Sequence, residues 1–222
     1  MLHMVMDEAI KRNRTVGVLF IDLEGQYKLT IDHIQTCYNL YKDNTEPFWC
    51  CLPIHLRNAV SVYEPFWVCW DKEAKKQWIR PMPKGAITDF DFFAPGMEFE
   101  EFVPEFGEWY GQGRSTACFV GIRADESLNR FRTIASDKKI KFHDKQWTTK
   151  VSDNVYNAYP IYDWRTEDIW IFHSKFKELS HNRIYDMMTM AGVKLSNQRL
   201  CQPFGDDQKK GLWLYHILEN DT

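Results

Sequence analysis

Thr15-Val-Gly-Val-Leu-Phe-Ile21 is an unbroken apolar run that stops at Asp22-Leu-Glu-Gly25. A run of that length, closed by turn residues, predicts a strand buried on both faces of a parallel sheet. On its N-terminal side Leu2, Val5, Met6, Ala9 and Ile10 recur at helical spacing and give one apolar helix face. No Ser, Thr, Asp or Asn precedes that face to cap it, so the helix reads either as a fraying start or as something cut from a longer element. On the C-terminal side Thr30 to Tyr41 has a helical pattern, and Phe48-Trp-Cys-Cys-Leu52 is a second short apolar strand. Helix, strand, helix, strand predicts an α/β fold.

From Pro53 to Pro95 the rhythm is lost. Tyr63-Glu-Pro-Phe-Trp-Val-Cys-Trp70 and Trp78-Ile-Arg-Pro-Met-Pro83 predict an irregular insertion packed on the sheet. Further helices are expected at Phe99–Trp109, Glu126–Ala135, from Thr166 (as cap) to Phe172, near Arg183–Ala191 and at Asp207–Leu218. Thr116–Ile122 reads as a strand, Asn157–Tyr162 as extended chain and Lys138–Lys150 as a polar loop.

The composition agrees with a folded chain. Its 222 residues are 44% hydrophobic and 27% charged, with no repeats and no low-complexity tract, which excludes disorder, collagen and coiled coil. Aromatics reach 15%, concentrated between Phe48 and Phe106. The net charge of −3 supplies no global field for nucleic acid, and no run is long and apolar enough to span a bilayer. The first residues lack a signal peptide's pattern, and six irregularly spaced cysteines read as reduced thiols, so a cytoplasmic protein is expected.

Ligands of open α/β sheets bind beyond the carboxyl ends of strands, and two such ends are polar. At Asp22-Leu-Glu-Gly-Gln-Tyr27, Gly25 permits a tight turn and Asp22 is placed to accept from a ribose hydroxyl or an amino group; a turn with a capping Asp explains the spacing equally well. At Gly121-Ile-Arg-Ala-Asp-Glu-Ser-Leu-Asn-Arg130, Arg123 follows the strand, Ser127 falls in the first helical turn and Arg130 lies one turn on. A helix N-terminus with two guanidiniums suits phosphate or sulfate. The competing reading is a surface pair between Glu126 and Arg130; two arginines flanking one strand end favour the anion site.

Gly121-x-Arg-x-x-Glu-Ser-x-x-Arg130, followed by Tyr159-Pro-Ile-Tyr-Asp-Trp164-x-x-Glu-Asp-Ile-Trp170, resembles the second half of the phosphoadenosine phosphosulfate (PAPS) reductase family. Phe20-Ile-Asp22-x-x-x-x-Tyr27-x-x-Thr30 resembles its first half. Cys51-Leu-Pro, Leu56–Ser61, Trp67-x-Cys-Trp-Asp71 and Arg199–Asp207 are similar to a subfamily that includes the immunoglobulin-binding regulator A proteins. The resemblance implies an open, mostly parallel sheet with helices on both faces, of the adenine-nucleotide alpha hydrolase type. Residues 1–222 would form one such domain, with an aromatic-rich insertion at 53–110. That type begins with a strand and a Ser-Gly-Gly-Lys-Asp-Ser phosphate loop leading into a helix like Met1-Leu-His-Met-Val; neither is found in this sequence, which accounts for the uncapped first helix. A sheet without that strand is expected either to self-associate or to cover the gap with the insertion.

The ligand implied is an adenosine phospho- or sulfo-nucleotide, ATP (with Mg) or PAPS. Gly121, Arg123, Glu126, Ser127 and Arg130 would lie at its anionic group, and Asp22, Gly25 and Tyr27 near the nucleoside. The chemistry, if any, would be attack on the α-phosphate of ATP or transfer at sulfur to a thiol. The family's C-terminal Glu-Cys-Gly-(Ile/Leu)-His segment is missing, leaving Cys201, in a different setting, as the one late cysteine. Cys50-Cys51 has no Cys-x-x-Cys partner, so no iron–sulfur cluster is expected. The other class of function is a non-catalytic regulatory subunit, for which the subfamily implies a ParB-like partner.

Weaker groupings read as structural. Cys51, His55 and Cys69 lack the pair that anchors a zinc site, and no metal is expected. Lys138, Lys139, Lys141, Lys145 and Lys150, with Phe142 and Trp147 among them, are diluted by Asp137 and Asp144 and read as a solvated loop rather than a nucleic-acid surface. His173 and His181 read as helix-side residues, and Met187, Met188 and Met190 as core or interface filler.

Overall fold

The computed structural model describes residues 1–136, 138–200, 204–206 and 212–219. They fall into two compact units, Met1–Glu8 with Glu100–Leu179, and Ala9–Phe99 with the described part of Ser180–Thr222. Helix α1 covers Leu2–Lys11, with Met6 and Ala9 of the expected apolar face buried and Ile10 half exposed.

In the second unit β1 (Val16–Ile21), α2 (Lys28–Leu40) and β2 (Thr45–Cys50) form a parallel β-α-β crossover, in register from Val16 opposite Thr45 to Ile21 opposite Cys50. Thr30, Cys37 and Tyr38 are the buried stripe of α2. The Tyr38 hydroxyl donates toward Val18 O at 3.1 Å and lies 3.4 Å from Phe48 O, tying the helix to both strands. Every β1 residue is half-buried, and among the described residues β1 pairs only with β2. That is less burial than an apolar run promises. β2 starts three residues before the expected Phe48, because exposed Glu46 and Pro47 hid its beginning. It ends at Cys50, after which the Cys51 N–H bonds Ile87 O instead.

The insertion holds one short antiparallel hairpin, β3 (His55–Arg57) with β4 (Phe66–Val68), and a 3-10 turn at Lys75–Gln77. Its irregular chain nevertheless has a core: Leu52, Ile54, Cys69 and Trp70 are all buried. Helices α6 (Ile184–Met190) and α7 (Leu212–Leu218) belong to the same unit; the expected start of α7 at Asp207 lies outside the described residues. Ile184, Met188 and Leu214 pack with Tyr27, and Met187 lies against that cluster, whereas Met190 is exposed.

In the first unit α3 (Phe99–Gly111) precedes a three-stranded sheet in the order β5 (Thr116–Phe119), β7 (Val155–Ala158), β6 (Thr148–Lys150). β5 and β7 are parallel, and β6 is antiparallel to β7. β6 corrects the reading of 138–150 as a loop. Thr148 and Thr149 are buried, and Thr149 Oγ1 lies 2.6 Å from the Tyr159 hydroxyl, so polar residue types disguised a strand whose hydroxyls are satisfied internally. α4 covers Leu128–Ala135 and α5 Thr166–Lys175. The cap of α5 is not Thr166 but Arg165, whose N–H donates to Asp168 Oδ2 at 2.8 Å.

Two close approaches hold α3 on this sheet. Glu108 accepts from Ser152 Oγ (2.6 Å), Asn154 N (2.8 Å) and Asn154 Nδ2 (3.2 Å), and these bonds hold its carboxyl below the usual carboxylate range. Gly107 faces Val155: a Cβ there would lie 2.8 and 2.9 Å from the two Val155 methyls. Val155 is buried and stiff about χ1, so it cannot swing aside. Gly107→Ala should therefore cost about 1–3 kcal/mol, measured as a lowered midpoint in urea.

Candidate functional site

The chain leaving β5 is pinned by Val120 N to Ala158 O (2.9 Å) and Ala124 N to Tyr162 O (2.8 Å). It then makes a 3-10 turn at Ala124–Glu126, and Ser127, extended at φ −168°, caps α4 by accepting from the Arg130 N–H at 3.2 Å. This turn gathers the expected charges. Arg123, its side chain 13% exposed, donates from Nε to Glu126 Oε1 (3.1 Å) and from Nη1 to Thr166 Oγ1 (3.2 Å) and Trp164 O (3.5 Å), with Asp125 3.9 Å away. Arg130 Nη1 meets the other Glu126 oxygen at 2.5 Å.

The surface pair and the two-arginine cluster are thus the same structure. Both guanidiniums converge on one carboxylate, each taking one oxygen, and neither Nη2 donates in these bonds. A position that holds a two-oxygen anion between two guanidiniums has the donor geometry for phosphate or sulfate. Gly121 is not a tight approach, since an added Cβ would meet Met1 Sδ at an ordinary 3.6 Å.

The end of β1 lies in the other unit and is organised differently. Asp22 is wholly buried. One of its oxygens accepts from Arg80 Nη2 and from Glu24 N (3.1 Å), the other from Trp49 Nε1 (2.8 Å). Its backbone oxygen accepts from Trp70 Nε1 at 2.6 Å. The left-handed residue of the turn is Glu24 (φ +66°) rather than Gly25. That conformation is held because the Glu24 carboxylate accepts from Trp70 N (2.6 Å) and Ile79 N (2.9 Å) while Arg80 Nε donates to Glu24 O (2.9 Å). Arg80 also lies over the Trp70 ring at 5.0 Å. Tyr27 is a core residue, its ring 5.0 Å from Tyr215.

Sequence reasoning missed Arg80, Glu24 and Trp49 here, and Thr166 beside Arg123. Trp70 stood inside a quoted motif, but Arg80 sits in an aperiodic, proline-rich stretch with no spacing signal.

The remaining candidates take structural places. Burial pushes the Cys50 and Cys69 thiols up to about 12 and raises Cys51 as well. The Cys69 thiol lies 3.3 Å from Leu52 O and 3.7 Å from Ile54 O, and the His55 ring stacks on Phe66. Among the described residues no three His, Cys, Asp or Glu side chains group to hold a metal. His173 lies 3.3 Å from Leu179 O, and His181 pairs with Asp186 at 3.0 Å. Cys201 lies outside the described residues. Among the described residues no helix is long and apolar enough to cross a membrane.

The family model for the phosphoadenosine phosphosulfate reductase domain matches residues 103–188, a span that contains the whole Gly121–Arg130 turn. Over those residues the chain is similar to the PAPS reductase family. Its similarity extends to YbdN of Escherichia coli (strain K12), an uncharacterized protein 46% identical over 227 residues, covering 100% of this chain and 55% of that relative. The chain therefore spans about half the length of the curated relative it matches. No solved structure matches it.

Two outcomes test this description. Arg80→Ala leaves a buried carboxylate without its cation and should cost about 3–5 kcal/mol in denaturant unfolding, whereas Arg80→Lys, keeping the charge, should cost less. Cys50, Cys51 and Cys69 should resist iodoacetamide at pH 8 in the native protein and label after unfolding, read by mass spectrometry. Because the folded thiols titrate above the ordinary thiol value of 9.0, their contribution to stability is complete below that pH and declines as pH rises toward about 12.

Proposed function

We propose that the chain binds an adenosine phospho- or sulfo-nucleotide, with the anionic group held at the turn after β5. The observation that carries this reading is the convergence of Arg123 and Arg130 on the single Glu126 carboxylate, at a strand end and beside a capped helix N-terminus. The matched PAPS reductase span supports it by covering that turn. In the ligand-free arrangement Glu126 neutralises the guanidiniums. A phosphate or sulfate would take the free Nη2 donors of both arginines and the first N–H groups of α4, and would compete with Glu126 for the rest.

Charge-assisted donors placed in advance would stabilise a nucleotide's anionic group and any negative charge developing on it. Asp22 has a different part. With both oxygens engaged by Arg80, Trp49 and Glu24 N, it would hold the shape of the β1 end rather than offer a free acceptor to a ribose.

Calorimetric titration with ATP, PAPS and AMP tests the reading. Arg123→Ala should weaken binding by about tenfold or more, the worth of one charge-assisted contact. Glu126→Gln, which removes the internal competitor while keeping its shape, should tighten it. Wild-type protein that binds none of the three, or binds equally well without Arg123, would overturn the proposal.

A further inference from the structure

Residues 131–150 carry six Lys or Arg against Asp137 and Asp144, a net of +4 inside a chain of net −3. Hydrogen bonds tie the described residues of this segment together. The Lys141 ammonium donates to Ile134 O (2.8 Å), in the last turn of α4, and to Gln146 O (3.3 Å), just before β6. Lys150 N donates to Ile140 O (2.8 Å), and Phe142 N to Thr148 Oγ1 (2.9 Å). One partly buried lysine thus joins the helix end to the following loop.

The exposed residues of the segment include bases and two rings. Arg132, Lys138, Lys139 and Lys145 are exposed, and among the described residues none of the four forms an ion pair. Phe131 (49% exposed), Ile140 (64%) and Trp147 (38%) are exposed on the same segment, with Lys145 Nζ 6.0 Å from the Trp147 ring centre. Exposed Asp144 is the described acidic neighbour, and Lys150 is tied to Asp153 at 3.7 Å.

We propose that this surface binds single-stranded nucleic acid, with the four unpaired bases on phosphates and Phe131 and Trp147 as stacking platforms. Isolated rings separated by cations suit unstacked bases on a tracked backbone. An acidic peptide would leave the rings unused, and an anionic membrane would call for a continuous apolar face. The inference is independent of the nucleotide reading, since Arg123 and Arg130 belong to the Glu126 cluster.

The test is fluorescence anisotropy of the full chain with labelled DNA and RNA strands of ~20 nucleotides. Four phosphate contacts on a single strand predict a slope of log K against log salt of about −3, a loss of about 50-fold between roughly 50 and 200 mM salt. The double variant Lys138→Glu, Lys139→Glu should lower affinity by more than about tenfold and flatten the slope by at least about 1.4, while leaving the nucleotide titration unchanged. Trp147→Ala should lose about tenfold; if it fails to fold by circular dichroism, Phe131→Ser on the exposed side of α4 carries the same expectation. No binding at ~50 mM salt, binding indifferent to the charge reversal, preference for duplex, or tighter binding to poly-glutamate or phosphatidylserine vesicles would each overturn the proposal.

Discussion

A carboxylate taken wholly out of water must be met by donors, and Asp22 is the place where this chain meets that demand most fully. Arg80, Trp49 and the Glu24 N–H take its two oxygens, and Trp70 takes its backbone oxygen. Three of those partners are far from it in sequence. Trp49 comes from β2, and Trp70 and Arg80 come from the insertion, so one buried charge fastens the crossover and the irregular segment together. Such networks are weak contributors to net stability but costly to break from one side, which makes this one a specifier of arrangement. The unusual φ of Glu24 is a consequence: its carboxylate is anchored by the same stretch of insertion backbone.

The turn after β5 solves the opposite problem. There two cations share one carboxylate, Glu126, with Asp125 3.9 Å from Arg123. Arg123 is further steered by Thr166 and the Trp164 carbonyl, so the start of α5 positions a guanidinium instead of using Thr166 as its own cap. This cluster keeps some exposure, 40% at the Arg130 side chain, whereas the Asp22 carboxylate has none. The PAPS-reductase match spans the open cluster, and the proposed role follows the same division.

Charge is distributed unevenly in the same manner. A mildly acidic chain places four exposed bases, none ion-paired among the described residues, around the end of α4, where Lys141 is spent on carbonyls. Net charge conceals such a patch, because a field acts locally over about a Debye length.

The α/β class was legible from Thr15–Ile21 and Thr116–Ile122, since apolar runs and helical periodicity are local properties of the chain. The Gly121–Arg130 cluster was legible for the same reason: its members lie within one turn and the helix that follows. The strand at Thr148–Lys150 was not, because buried threonines look polar until their hydroxyl partners are known. The fate of Asp22 was not legible either. Whether a carboxylate at a strand end greets a ligand or is consumed by its own protein depends on residues tens of positions away, and only folding brings Arg80, Trp49 and Trp70 to it. Sequence alone determined where the chain alternates helix and strand and which charges sit close along it. The tertiary structure decided which of those charges are already satisfied, because satisfaction is a matter of distance in space.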